Sequence, residues 1–86
     1  MDEKVTYYAM VFSDDTPEEP SGLARRRILP SGGIVDEALH RDLQWHESDA
    51  IGDWRRGESS QDLIEISRAE ADHVMERFRQ MFGDSD

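Results

Sequence analysis

The stretch VTYYAMVF, residues 5–12, decides the fold. It is rich in β-branched and aromatic residues, it lacks Gly and Pro, and turn-forming residues follow it at 13–17, so it predicts a β-strand. Successive side chains of a strand alternate between its two faces. One face carries Val5, Tyr7, Ala9 and Val11, and the other carries Thr6, Tyr8, Met10 and Phe12. Neither face is polar, so we expect this strand to lie inside a sheet that is covered on both sides.

The C-terminal part of the chain predicts a helix that covers one of these faces. Ser67-Arg68-Ala69-Glu70 matches a capping box, in which the Ser67 hydroxyl and the Glu70 carboxylate bind backbone N–H groups at the helix start. Apolar residues then recur at spacings of three and four, namely Ala71, Val74, Met75, Phe78, Met81 and Phe82. We predict a helix over residues 68–82, with Gly83 as its stop.

Two further segments predict strands. Residues 23–29 form the second strand, which ends at a turn containing one proline and two glycines. Residues 63–66 form a short strand near the end of the chain, with Ile64 and Ile66 pointing inward and Glu65 outward.

The segment 37–45 is compatible with two structures. As a strand it places Leu39, Leu43 and Trp45 on one face, whereas helical spacing would align Val35 with Leu39 and Leu43. We favour a third strand, because a sheet of only two strands is marginally stable.

A short helix near residues 49–55 completes the prediction, with Ser48 as its cap and Gly57 as its stop. The fold class is therefore α+β: a small, mostly antiparallel sheet of three to four strands packed against one C-terminal amphipathic helix, plus the short helix. We expect a single domain over residues 1–86, because a chain of this length builds only one small core.

The composition restricts the partners. Twenty Asp and Glu against ten Lys and Arg give a formal net charge of −10, which disfavours direct binding to nucleic acid or to an anionic membrane. The chain contains no cysteine and no apolar run of membrane-spanning length. We expect a soluble, cytoplasmic protein.

Three consecutive arginines, Arg25, Arg26 and Arg27, stand out in this acidic chain. Strand geometry places Arg25 and Arg27 on one face and Arg26 on the other. We expect them to pair with carboxylates of a neighbouring strand, such as Glu37 or Asp42, and we keep external anion binding as the alternative.

The sequence offers no motif for catalysis. Cysteine is absent, the serines lack a nucleophile-elbow setting, and no phosphate-binding or dinucleotide-binding loop occurs. The candidate metal ligands are His40, Asp42, His46, Glu47 and His73. Neighbours on one face of a strand lie about 6–7 Å apart, too far to converge on one ion. We therefore predict no enzyme activity, no metal and no cofactor.

Three segments carry a family resemblance: Ser21-Gly-Leu-Ala-Arg-Arg-Arg27, Leu43-Gln-Trp45, and Glu65-Ile-Ser67 with the acidic helix that follows. Together they resemble a family of small acidic proteins from actinobacteria. The resemblance spans most of the chain and implies no activity, cofactor or site residue.

The expected function is that of a small protein-interaction module, acting by homodimerisation or by docking to a partner protein, because one long helix cannot cover both apolar faces of a sheet. The expected interaction surface comprises Tyr8, Met10, Phe12, Arg25, Arg26, Arg27 and Trp54. The alternative is an acidic regulator or nucleic-acid mimic that binds a basic protein surface. It would use a continuous negative face formed by Asp62, Glu65, Glu70, Asp72 and Glu76.

Overall fold

Five strands and two helices make an α+β fold. A computed structural model describes residues 3–12, 14–16, 19–40, 42–59 and 61–82. The elements in chain order are β1 (Lys4–Val11), β2 (Gly22–Ile28), β3 (Ile34–Leu39), β4 (Trp45–Glu47), α1 (Ala50–Arg55), β5 (Asp62–Ile66) and α2 (Arg68–Phe82). The strands form one sheet in the order β4-β3-β2-β1-β5, and every neighbouring pair is antiparallel.

The fold class is confirmed, but the sheet has one strand more than the upper limit of the prediction. The extra strand arises from residues 37–45, which were predicted as one strand and instead turn back on themselves between β3 and β4. His40 donates its backbone N–H to the Gln44 carbonyl oxygen at 3.0 Å, and Leu43 occupies the left-handed region at φ 65°. The helical alternative for this segment is also wrong.

One face of the sheet is covered by α2, as its apolar stripe predicts. Ala71, Val74 and Phe78 pack against residues of the three strands β1, β2 and β5, namely Ala9, Val11, Leu23 and Ile66. The capping box is confirmed: Ser67 N–H donates to Glu70 Oε1 at 2.9 Å, and Glu70 N–H donates to Ser67 Oγ at 3.1 Å. The predicted stop at Gly83 lies outside the described residues.

The opposite face is covered in part by α1. Ile51 is buried against Ala24 of β2 and Leu63 of β5. Ser48 Oγ accepts the Ala50 N–H at 3.1 Å, although the N-cap position itself is Asp49. Gly57 has φ +76°, which agrees with its predicted role as the stop. β1 therefore has a helix on both sides of its sheet, as its two apolar faces predict.

The predicted burial of the β5 side chains was partly wrong. Leu63 and Ile66 are buried on opposite faces, whereas Ile64, which was predicted to point inward, is 38% exposed. The reason is the position of β5 at the edge of the sheet, where no further strand among the described residues flanks its side chains. Glu65 is exposed, as predicted.

Candidate functional site

The arginine triplet is paired within the protein. Arg25 lies directly opposite Glu37 and donates from Nε to Glu37 Oε1 at 2.7 Å, and its guanidinium carbon is 4.2 Å from the centre of the Trp45 ring. Arg26 lies opposite Asp36 and makes two hydrogen bonds to its carboxylate, of 2.8 and 2.9 Å. These pairs confirm intramolecular pairing with the neighbouring strand.

Arg27 also forms ion pairs with carboxylates. It donates two hydrogen bonds to Glu3, of 2.6 and 3.0 Å, and also lies 3.6 Å from Glu37. The hydrogen bond with Arg27 lowers the pKa of Glu3, and the bond to Asp36 raises the pKa of Arg26. Because all three guanidinium groups already bind carboxylates, an external anion would have to displace them.

The aromatic part of the predicted interaction surface is largely used for internal packing. Tyr8, Met10 and Trp54 pack partly buried around the α1 side of the sheet, and the rings of Tyr8 and Trp54 are 6.3 Å apart. Phe12 is 47% exposed just beyond the end of β1. Of the predicted apolar surface, Phe12 is thus the side chain with the largest exposed fraction.

Two histidines and one aspartate meet in the β3–β4 turn. The rings of His40 and His46 are 4.2 Å apart, and His46 Nε2 lies 2.8 Å from Asp42 Oδ2. The hydrogen bond with His46 lowers the pKa of Asp42. Asp42 thus pairs with His46, whereas the carboxylates bound by the arginines of β2 are those of Glu3, Asp36 and Glu37. Among the described residues, no group of three or more His, Cys, Asp or Glu is arranged to hold a metal ion.

The five acidic residues of the predicted negative face are exposed but separated. Asp62 and Glu65 point to opposite faces of β5 by strand alternation, and Glu76 forms an ion pair of 2.5 Å with Arg79. Met75 and Arg79 line a small cavity with Leu39, Leu43 and Trp45, so this flank of α2 faces β3 and β4. Helical periodicity places Asp72 and Glu76 on that flank and Glu70 on the opposite one, toward β5.

The β5 edge is the surface that sequence reasoning missed. The described residues include four large exposed apolar side chains, Phe12, Ile34, Ile64 and Met81. Ile64 lies on β5 itself, and Phe12 follows Val11, whose partner in the sheet is Asp62. Met81 is 57% exposed and lies on the β5 flank of α2 by helical periodicity. Ile64 and Met81 therefore lie on one face of this edge strand, and Phe12 follows the neighbouring strand on the opposite face by alternation.

An open groove of about 420 Å³ continues this edge. It is lined by residues 3–7, which include the start of β1, and by residues 65–68, where β5 passes into α2. The pairing of β1 with β5 begins at Tyr7, so in the described part of the chain the preceding residues of β1 have no partner strand on this side. The exposed backbone thus extends from β5 past the end of that strand.

Comparisons with known proteins add no functional assignment. The chain matches no family model, and searches of curated proteins and of solved structures gave no match. The resemblance to small acidic actinobacterial proteins therefore stays a prediction. No helix among the described residues has both the length and the apolarity needed to cross a membrane.

Proposed function

We propose that the protein is a small acidic interaction module that docks a partner protein at the outer edge of β5. The observation that carries this proposal is the grouping of exposed Phe12, Ile64 and Met81 around an edge strand. Every second residue of an edge strand directs its N–H and C=O groups away from the sheet, where an extended segment can bind them. The exposed side chains supply apolar contacts beside these backbone groups.

A binding role is favoured over a catalytic one by the way the described polar groups are used. The arginines of β2 bind acids of β3 and Glu3, and the Glu70 carboxylate binds the start of α2. The larger cavities are open to solvent, whereas general acid–base catalysis draws on a carboxyl group buried in a cleft. The proposed setting is the cytoplasm, since the chain has no cysteine.

The nucleic-acid mimic is the less supported alternative. It needs a continuous negative face, and the five acids predicted for that face are divided between two sides of β5 and two flanks of α2. The feature that it shares with our proposal is the acidity of the chain, which favours basic partners.

A random peptide library displayed on phage and selected on the immobilised protein tests the docking site. We expect selected peptides to shift the backbone amide NMR signals of β5 and of the β5 flank of α2. Ile64→Ser should weaken their binding by about tenfold or more, because burial of an Ile side chain contributes roughly 1.5–3 kcal/mol.

The matched control is Ile34→Ser, which removes an exposed isoleucine from β3, on the far side of the sheet from β5. It should leave peptide binding unchanged. Equal losses in the two variants, shifts confined to other strands, or failure to select any peptide would contradict the proposed docking edge.

A further inference from the structure

We infer that the segment docked at β5 is an extended basic strand in which two Lys or Arg residues stand three positions apart with an apolar residue between them. This inference rests on the proposed function, because it names the chemistry of the partner at the same edge. It follows from the charges around β5, from the alternation of its side chains and from the acidity of the chain.

The two charged residues of β5 itself are acidic, whereas Lys4 and Arg68 line the adjoining groove and Arg77 lies beside Met81 on α2. Asp62 and Glu65 are exposed, and no ion pair within the described part of the chain involves either residue. Glu70, whose carboxylate also accepts the Ser67 N–H, adds a third exposed carboxylate on the flank of α2 that faces β5. Basic side chains on an added strand would meet carboxylates on both of its faces.

A second copy of this chain fits the edge poorly. Antiparallel pairing of β5 with itself would bring Asp62 and Glu65 of both copies to one interface, between two chains that each carry a formal charge of −10. Charged side chains on an edge strand are a common means of preventing such self-pairing. The same charges attract a strand of opposite sign, so a basic segment is the occupant that the edge selects.

The alternation of β5 sets the sequence pattern of this segment. In an antiparallel partner strand, the residue opposite Ile64 lies on the α2 side of the sheet, close to Ile64 and Met81, and should be apolar. The residues opposite Glu65 and Asp62 should be basic, and they are three positions apart in the partner. The pattern is therefore basic, apolar, any residue, basic.

Three synthetic peptides test this pattern by NMR titration of the labelled protein at low salt. The basic probe is acetyl-Thr-Lys-Val-Thr-Arg-Thr-amide; in the acidic probe Glu replaces both basic residues, and in the neutral probe Gln replaces them. We expect the basic probe to shift β5 amides and to bind about tenfold more tightly than the acidic probe, and added salt should weaken it.

Reversing the charge of one residue distinguishes specific pairing with the peptide from attraction to the net charge of the protein. Each cross-strand ion pair contributes roughly 1.5- to 5-fold in affinity, so Glu65→Lys should weaken the basic probe by about fivefold and strengthen the acidic one. Asp72→Lys is the control, because it changes the net charge equally on the other flank of α2. It should alter both affinities by less than about twofold, as expected for a distant charge.

The failures are distinguishable. If library-selected peptides bind at β5 while the basic probe binds no better than the neutral or acidic one, the docking edge stands and the basic pattern is wrong. Equal effects of Glu65→Lys and Asp72→Lys would also overturn the pattern, because they would indicate attraction to net charge alone. If light scattering shows a dimer that Glu65→Lys changes, the occupant is a second copy. Absence of any peptide binding at β5 would remove the proposed function itself.

Discussion

The strands β2 and β5 reverse the usual relation between polarity and position. β2 contains three consecutive arginines, yet it lies in the middle of the sheet with β1 and β3 on its two sides. β5 contains three aliphatic residues, yet it lies at the edge and leaves one of them, Ile64, 38% exposed.

The difference shows that the surroundings of a strand decide what its side chains can do. The arginines are stable at the centre because acids of β3 stand directly opposite Arg25 and Arg26, and Trp45 packs against one guanidinium. Among the described residues, no strand lies beside the aliphatic and acidic residues of β5 on their outer side. The charged side chains of β2 are therefore paired within the protein. Those of β5 are exposed on its outer side, where a partner could pair with them.

The largest expected effect comes from truncating an aliphatic residue in each strand on the α2 side of the sheet. Leu23 is fully buried in β2, so Leu23→Ala should lower the free energy of unfolding by about 2–5 kcal/mol. Ile64→Ala should cost about 1 kcal/mol, because its side chain is already partly in water. Urea unfolding followed by circular dichroism measures both values.

Leu23→Val and Ile64→Val provide a milder pair if the first variant does not fold. Equal costs at the two positions would mean that β5 is as enclosed as β2, and the comparison would then be wrong.

A second pair of measurements compares ion pairs in the sheet and on the surface. The side chains of Arg26 and Asp36 are 16% and 20% exposed, and their double-mutant cycle should give a coupling of about 1–2 kcal/mol. The exposed helical pair Glu76–Arg79 should give about 0.3–0.5 kcal/mol or less. Similar coupling energies would show that the Arg26–Asp36 pair in the sheet stabilises the protein no more than an ordinary surface ion pair.

Local signals were sufficient to predict the elements that carry them. The capping box and the apolar stripe predicted α2 with its observed bounds, and the two apolar faces of residues 5–12 predicted a strand that is covered on both sides. The β3–β4 turn has no comparable signal. It places Leu43 at φ 65°, a conformation for which turn rules expect Gly or Asn, so the sequence offered nothing to interrupt a strand.

The candidate site depends on information that no local pattern contains. Pairing of the arginines with Glu37 was predictable because the acids outnumber the bases, but the bond between Arg26 and Asp36 depends on the register that β3 adopts from Ile34. The proposed docking edge depends on strand order, which places β5 beside β1 and, within the described residues, gives it no second neighbouring strand. Strand order is set by packing between distant segments.

Acid titration tests how much the cap of α2 contributes to stability. The pKa of Glu70 is lowered by its hydrogen bonds to Ser67, so the folded state binds this proton less readily than the unfolded chain. The stabilisation is complete above the usual glutamate pKa near 4.5 and is lost as pH falls through the lower folded value.

The melting temperature should therefore decrease as the pH is lowered from about 4.5. Protonation of Glu3 and Asp42 should contribute to this decrease, because their pKa values are lowered too. Glu70→Gln keeps a hydrogen-bond acceptor at the cap but does not titrate, so its melting temperature should depend less steeply on pH. Identical slopes for Glu70→Gln and the unaltered protein would show that the cap carboxylate does not contribute.

The smallest effect is expected at the β3–β4 turn. His40 and His46 are exposed side chains that stack on each other, and the turn is closed by backbone bonds between His40 and Gln44 and between Leu43 and His40. Replacing both histidines by Gln should therefore change the free energy of unfolding by less than about 0.5 kcal/mol. Zinc and a chelator should leave the melting temperature of the unaltered protein unchanged. A rise in that temperature with zinc, lost in the double variant, would instead show that His40, Asp42 and His46 rearrange around an ion, and the turn would then be a metal site.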